Sequence, residues 1–254
     1  MSAIKDRLRQ GEAALGAWVM IGHPAVGELL AGEAFDWVAV DLEHAAIDLP
    51  LFSTLALAIK SRGKEVLARL HSPDAVLAKQ VLDAGADGII VPMVNSRQDA
   101  ERAVAMARFP PQGQRGASLC RATDYGRNFP AYYAAHNTSV VVVAILEDIH
   151  AARNADEIVS TPGLDAVMIG PYDLSASMGL AGQLNHPAVL EAQEQILDAC
   201  QRHRVAPGIH VVPVDAEEVR QRIAQGYRFL ACGLDTGFII HGCRAILAKV
   251  RPHA

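Results

Sequence analysis

The chain has 254 residues, 51% of them hydrophobic and 20% charged, with a formal net charge of −5. That composition is ordinary for a folded soluble core, and the acidic balance argues against a nucleic-acid partner. No apolar run approaches the roughly 20 residues that a membrane-spanning helix needs, and the charged start Met1-Ser2-Ala3-Ile4-Lys5-Asp6-Arg7 does not read as an export signal.

In chain order, eight apolar runs read as short buried parallel strands: 15–21, 37–41, 66–70, 88–91, 140–146, 166–169, 207–211 and 228–232. After the third, Ser72-Pro73 opens a helix that Gly85 closes. After the fourth, Ala100, Ala103, Val104 and Ala107 recur on one helical face, Ser96 and Asp99 stand at capping spacing, and Phe109-Pro110-Pro111 ends the helix. After the seventh, Asp215 and Glu218 have capping-box spacing, Val219 and Ile223 make the face, and Gly226 stops it. Two connections are long, 116–137 and 172–184, and such segments serve as lids, binding loops or interfaces. Eight βα units in about 250 residues predict an α/β protein, a single-domain (β/α)8 TIM barrel over 1–254. A doubly wound sheet would carry a glycine-rich phosphate turn after an early strand, and 16–22 does not match one.

In such a barrel the chemistry sits at the carboxyl ends of the strands. The sequence places Asp41-Leu42-Glu43-His44 after strand two, Arg69 near the end of strand three, Glu147 directly after strand five and Asp173 after strand six. Two unpaired carboxylates on neighbouring strands, roughly 5 Å apart, repel by about 3 kcal/mol at an effective dielectric of 20. A divalent cation removes that conflict, and two oxygen ligands with open positions suit Mg2+, Mn2+ or Co2+. Each residue has an ordinary reading when taken alone. His44 could be hydrogen-bonded near the surface, Arg69 could pair with Asp41 or Asp83, Glu147 could cap the following helix, and Asp173 could cap its own loop. Together on one rim they predict a site. The five lysines, Lys5, Lys60, Lys64, Lys79 and Lys249, all fall in helical or turn regions. That argues against Schiff-base chemistry, and if carbon–carbon chemistry occurs here a metal must serve as the electron sink. Cys120, Cys200, Cys232 and Cys243 lack metal-ligand or redox spacing and read as reduced thiols of a cytoplasmic protein.

The segments Asp41-Leu42-Glu43-His44, 82–94, 110–116 and 169–175 resemble the HpcH/HpaI aldolases, in order and spacing and over nearly the whole chain. The resemblance implies a metal-dependent (β/α)8 enzyme that cleaves a 4-hydroxy-2-oxo acid to pyruvate, or a related 2-oxo acid, and an aldehyde. It implies that Glu147 and Asp173 hold the metal and that His44 is the base, acting through water. Asp83 would raise the basicity of His44, and Arg69 would stabilise the enolate. The backbone around Gly170, Pro171 and Tyr172 would receive the pyruvyl group. It further implies a homo-oligomer, a hexamer, with the carboxyl-terminal helix of about 236–250 exchanged between subunits. Two positions depart from the family's pattern: Ile145 stands where many relatives have glutamine, and Tyr172 where several have a small residue. Both alter the walls of the pyruvyl pocket. Alternatives within the same chemistry are an oxaloacetate decarboxylase or another enolate-forming lyase or synthase, which a panel of 2-oxo acids separates. A non-catalytic 2-oxo acid-binding barrel would be expected to lack His44 or Arg69. Arg115, Arg121, Asp124 and Tyr125, on or beside the long 116–137 connection, are candidates to select the aldehyde's far end or to pack at an interface.

Overall fold

The computed structural model describes residues 2–212 and 215–251. Parallel strands β1 (Ala14–Val19), β2 (Trp37–Asp41), β3 (Glu65–Arg69), β4 (Gly88–Val91), β5 (Val141–Leu146), β6 (Ala166–Ile169), β7 (Ala206–Val211) and β8 (Phe229–Leu234) pair in sequence order, and β8 closes onto β1. Helices lie between successive strands, so the architecture is the single-domain (β/α)8 barrel that the alternation predicts.

The period-2 geometry of a strand sorts the side chains into two cores. Trp37 and Ala39 of β2, Leu67 of β3, Val143 and Ile145 of β5, Met168 of β6 and Phe229 of β8 fill the barrel. Their chain neighbours Val38, Val40, Val66, Ala144 and Val167, with Ile209 of β7, pack outward under the helices. The lower interior is plugged by Trp37 stacked on Phe229, with ring centroids 4.4 Å apart and planes 4° from parallel. Gly16 makes the space for that indole, since a Cβ there would lie 2.1 Å from the Trp37 ring. The helix Ala3–Arg9 covers the amino ends of the strands. From it the buried Lys5 Nζ reaches the Val140 carbonyl at 2.7 Å and Asp165 Oδ1 at 3.0 Å.

Local signals mostly match, with three differences. The helix after β3 is Ala75–Asp83, capped by Asp74, whose carboxylate accepts from the N–H groups of Val76 and Leu77. Ser72 Oγ is instead paired with His71 Nδ1 at 2.9 Å, so the cap falls two residues later than Ser72-Pro73 suggests. The 116–137 connection contains a turn at Arg121–Thr123 and then runs into a helix, Phe129–Ser139. The 172–184 connection begins inside the helix Pro171–Ser177. Ser96 and Asp215 cap their helices as read. The last helix, Asp235–Val250, leaves Ile239, Ile240, Ile246, Leu247 and Val250 exposed. Among the described residues no helix is long and apolar enough to cross a membrane.

Candidate active site

The alternation that fills the barrel also selects what faces its mouth. Asp41 follows Ala39 by two residues, Arg69 follows Leu67, Glu147 follows Ile145, and Gly170 follows Met168, so all four share the inward parity. A cavity of about 300 Å3 opens there, lined by Trp18, Asp41, His44, Arg69, Glu147 and Asp173 among others. A second hollow of about 310 Å3 adjoins it and shares His44, Arg69, Glu147 and Asp173. The two metal-type carboxylates, the cation and the base candidate are thus brought together. Among the described residues no lysine lines either hollow.

Asp41 organises the centre. It is 2% exposed, and its Oδ1 accepts from the N–H groups of Glu43 (2.8 Å) and His44 (2.9 Å). Its Oδ2 accepts from Trp18 Nε1 (2.9 Å) and Arg69 Nη1 (3.3 Å). Burial alone would push this carboxyl up, but the His44 N–H, the Arg69 guanidinium and the Trp18 indole together hold it below the usual range. Arg69 also meets Glu43 Oε2 at 2.5 Å and Glu147 Oε2 at 3.9 Å. Glu43 Oε2 in turn lies 3.8 Å from His44 Nε2.

Glu147 does not cap the next helix; Asp148 does, accepting from the His150 N–H at 2.7 Å. Glu147 Oε1 takes the Met93 N–H at 2.8 Å, from a residue held at a φ of 54°. Burial raises the Glu147 carboxyl; the Met93 N–H and Arg69 oppose this, while Asp173 and Glu43 add to it. Gly170 leaves room for this side chain, since a Cβ there would stand 2.9 Å from Glu147 Cβ and 3.1 Å from Oε2. Pro171 occupies the first turn of the following helix, with Tyr172 and Asp173 after it, and the preceding Gly170 offers no side chain to cap that turn. Ile145 and Tyr172, the two departures from the family pattern, both face the cavity.

Asp83 is not brought to His44 within the chain. It ends the helix that leads into the amino end of β4, at the opposite rim, and pairs with Arg115 at 2.7 Å. The same buried Arg115 holds Tyr132 Oη at 2.9 Å and His136, so its guanidinium is already engaged within the chain. Arg121 is spent on the Ala84 carbonyl at 2.8 Å. Neither arginine, nor Asp124 or Tyr125, lines the hollows of its own chain.

The HpcH/HpaI aldolase/citrate lyase family matches residues 14–242. The chain belongs to that family. It is 35% identical to the 4-hydroxy-2-oxo-heptane-1,7-dioate aldolase of Klebsiella pneumoniae subsp. pneumoniae, over all of this chain and 95% of that protein. Among solved structures, an HpcH/HpaI family protein from Burkholderia cenocepacia J2315 is 32% identical with a TM-score of 0.94, covering 99% of this chain and 100% of that one. Citrate synthase SbnG is 28% identical with a TM-score of 0.87, covering 99% and 98%. This HpcH/HpaI protein is accordingly a lyase of the aldolase type. Its mouth differs from a bare acidic pair in three ways that the sequence reading does not single out. Asp41 is the hub, Trp18 is one of its donors, and His210 of β7 is a wall of the cavity.

Proposed function

We propose that this chain reversibly cleaves a 4-hydroxy-2-oxo acid to pyruvate, or a related 2-oxo acid, and an aldehyde. The convergence of Glu147, Asp173, Arg69 and His44 on one rim is the observation that carries the reading. Glu147 and Asp173 would hold a divalent cation, Mg2+, Mn2+ or Co2+. The donor set fits: both ligands are hard oxygens, and Gly170 cradles one of them. When bound, the cation supplies Lewis acidity at the keto group. The acid's pyruvyl part lies against Gly170, Pro171 and Tyr172.

Arg69, oriented by Asp41 and Glu43, places a fixed positive charge where the enolate oxygen develops. His44, through a water, takes the proton from the C4 hydroxyl. The C3–C4 bond then breaks, its electron pair enters the enolate, and the aldehyde leaves; returning the proton to C3 completes pyruvate. His44 is 57% exposed, so water reaches it freely. Since Asp83 stands at the far rim, it can support His44 only from a neighbouring subunit. The apolar row on helix Asp235–Val250 supports a homo-oligomer, a hexamer by resemblance, in which that helix is exchanged.

The test is pyruvate release from a panel of 4-hydroxy-2-oxo acids, with and without chelator, alongside oxaloacetate. Chelator-sensitive pyruvate release supports the reading. Carbon dioxide release from oxaloacetate with no aldol cleavage would replace it with the decarboxylase alternative.

A further inference from the structure

We propose that His210 is a specificity-determining residue that hydrogen-bonds a hydroxyl group on C3 of the 2-oxo acid, so that this chain prefers a hydroxylated 2-oxo acid to its methyl isostere. The proposal rests on the reading above that the cavity receives a 2-oxo acid.

His210 shares the inward parity of Ala206 and Gly208 on β7, the strand beside β6, whose end carries Gly170 and Asp173. The cavity that His210 lines has the apolar side chains of Met20, Met168 and Leu234 and the indole of Trp18 on its wall, together with the charged Asp41 and Arg69. The imidazole stacks on that indole with centroids 4.8 Å apart and planes at 26°, and Trp18 is itself pinned by Asp41. The ring's orientation is therefore fixed by packing. Its Nε2 is buried and has no hydrogen-bond partner among the described residues. Buried polar atoms are nearly always paired, because leaving one unpaired costs stability that an aliphatic side chain at the same place would not cost. A polar atom on a pocket wall that no protein group satisfies is the usual device by which a pocket selects one functional group on its ligand.

The chemistry of that group follows from charge. Burial pushes the His210 imidazole down to about 4, with Arg69 adding to the effect and the Gly233 carbonyl opposing it. The ring is thus neutral near pH 7, and the Asp41 carboxylate is close enough to affect it. A neutral imidazole beside a carboxylate suits a hydroxyl better than an anion. A site that hydrogen-bonds a substrate hydroxyl rejects the analogue lacking it, because the site's own polar atom is then left unpaired.

Hydroxypyruvate and 2-oxobutanoate differ only in an OH in place of a CH3, and they are the probes. Both are titrated with Mg2+ into the wild type, His210→Leu and His210→Gln by calorimetry, with Trp18 fluorescence as a second signal. The wild type should bind hydroxypyruvate roughly tenfold tighter, the increment of one good hydrogen bond. The ratio should collapse to about one or invert in His210→Leu, and recover in part in His210→Gln. Melting curves establish that the variants fold, and the ratio of two ligands on one protein is insensitive to a common loss of active molecules. Equal ratios in the wild type and His210→Leu overturn the proposal. Pyruvate binding that persists in that case keeps the aldolase reading intact; a wild type that binds no 2-oxo acid removes both.

Discussion

Asp41→Asn is the sharpest perturbation of the site, because the change is isosteric and the consequences follow from four contacts. The carboxylate gives one oxygen to the Glu43 and His44 N–H groups and the other to Trp18 Nε1 and Arg69 Nη1. Asparagine has a single acceptor oxygen, so its NH2 must confront one of these donor pairs. The 3.3 Å contact to Arg69 is the longest of the four, and Arg69 retains Glu43. The amide should therefore keep the turn and direct its NH2 at Trp18 and Arg69. Two buried donors left unpaired cost about 1–3 kcal/mol each. At roughly 2–4 °C per kcal/mol for a chain of this size, the melting temperature should fall by about 5–20 °C. Arg69, no longer held from this side, should drift off the enolate position and lower kcat/KM by on the order of 100-fold. Thermal melts by circular dichroism and pyruvate-release kinetics give both numbers. Trp18→Phe, which deletes one of the two stranded donors, should cost less in the Asp41→Asn background than in the wild type. Wild-type stability and turnover in Asp41→Asn, or strict additivity with Trp18→Phe, would refute the assignment of Asp41 as hub.

Gly170→Ala should act on Glu147 rather than on the fold. The backbone there, at φ −97°, accommodates alanine, but the new Cβ would crowd the carboxylate; about a 10–100-fold loss of metal affinity by calorimetry is expected, with a melting temperature within a few degrees of wild type. His136, pushed down to about 4 chiefly by burial and then by Arg115, gives a pH prediction. Its folded pKa lies below the ordinary 6.5, so the unfolded chain takes up the proton first as pH falls. The neutral ring's contribution, on the order of 3 kcal/mol, is complete above about pH 6.5 and is lost on going down to about 4. Chemical denaturation at pH 7 and pH 5 should show the fall, and His136→Gln should flatten it. Lys5→Met leaves Asp165 buried without its ion partner at the amino end of the barrel and should cost about 3–5 kcal/mol by denaturation. The kcat/KM of that variant should stay unchanged, because the lesion is at the rim away from the mouth.

How far the sequence can be read varies with the kind of residue. Strands whose runs are unbroken and aliphatic, such as Gly88–Val91 and Ala166–Ile169, have the limits that their apolarity suggests. Glu147 stands out because a charge ending such a run must face the mouth or the solvent, and Asp173 because it follows such a run within one turn of the next helix. His210 carries a readable signal as well, in its parity with Ala206 and Gly208, but it sits inside an apolar run and passes for core. The helix Phe129–Ser139 is hidden in a long connection because its inner face is built from aromatic rings and His136 rather than aliphatic side chains. Asp83 cannot be placed within the chain from its spacing, which does not tell which rim a helix end reaches. Arg115, buried on Asp83, Tyr132 and His136, depends on contacts across 17 to 32 residues and has no local signature. The Met93 N–H that receives Glu147 belongs to the backbone and leaves no trace in residue type.

The central claim, that Glu147 and Asp173 hold a cation essential to carbon–carbon cleavage, is tested most directly by stripping the protein with EDTA and following pyruvate release from a 4-hydroxy-2-oxo acid as Mg2+, Mn2+ or Co2+ is returned. Turnover should vanish on stripping and return with the metal in the wild type, and should not return in Glu147→Gln or Asp173→Asn. Undiminished pyruvate release from the stripped protein, or full rescue of either variant, would contradict it.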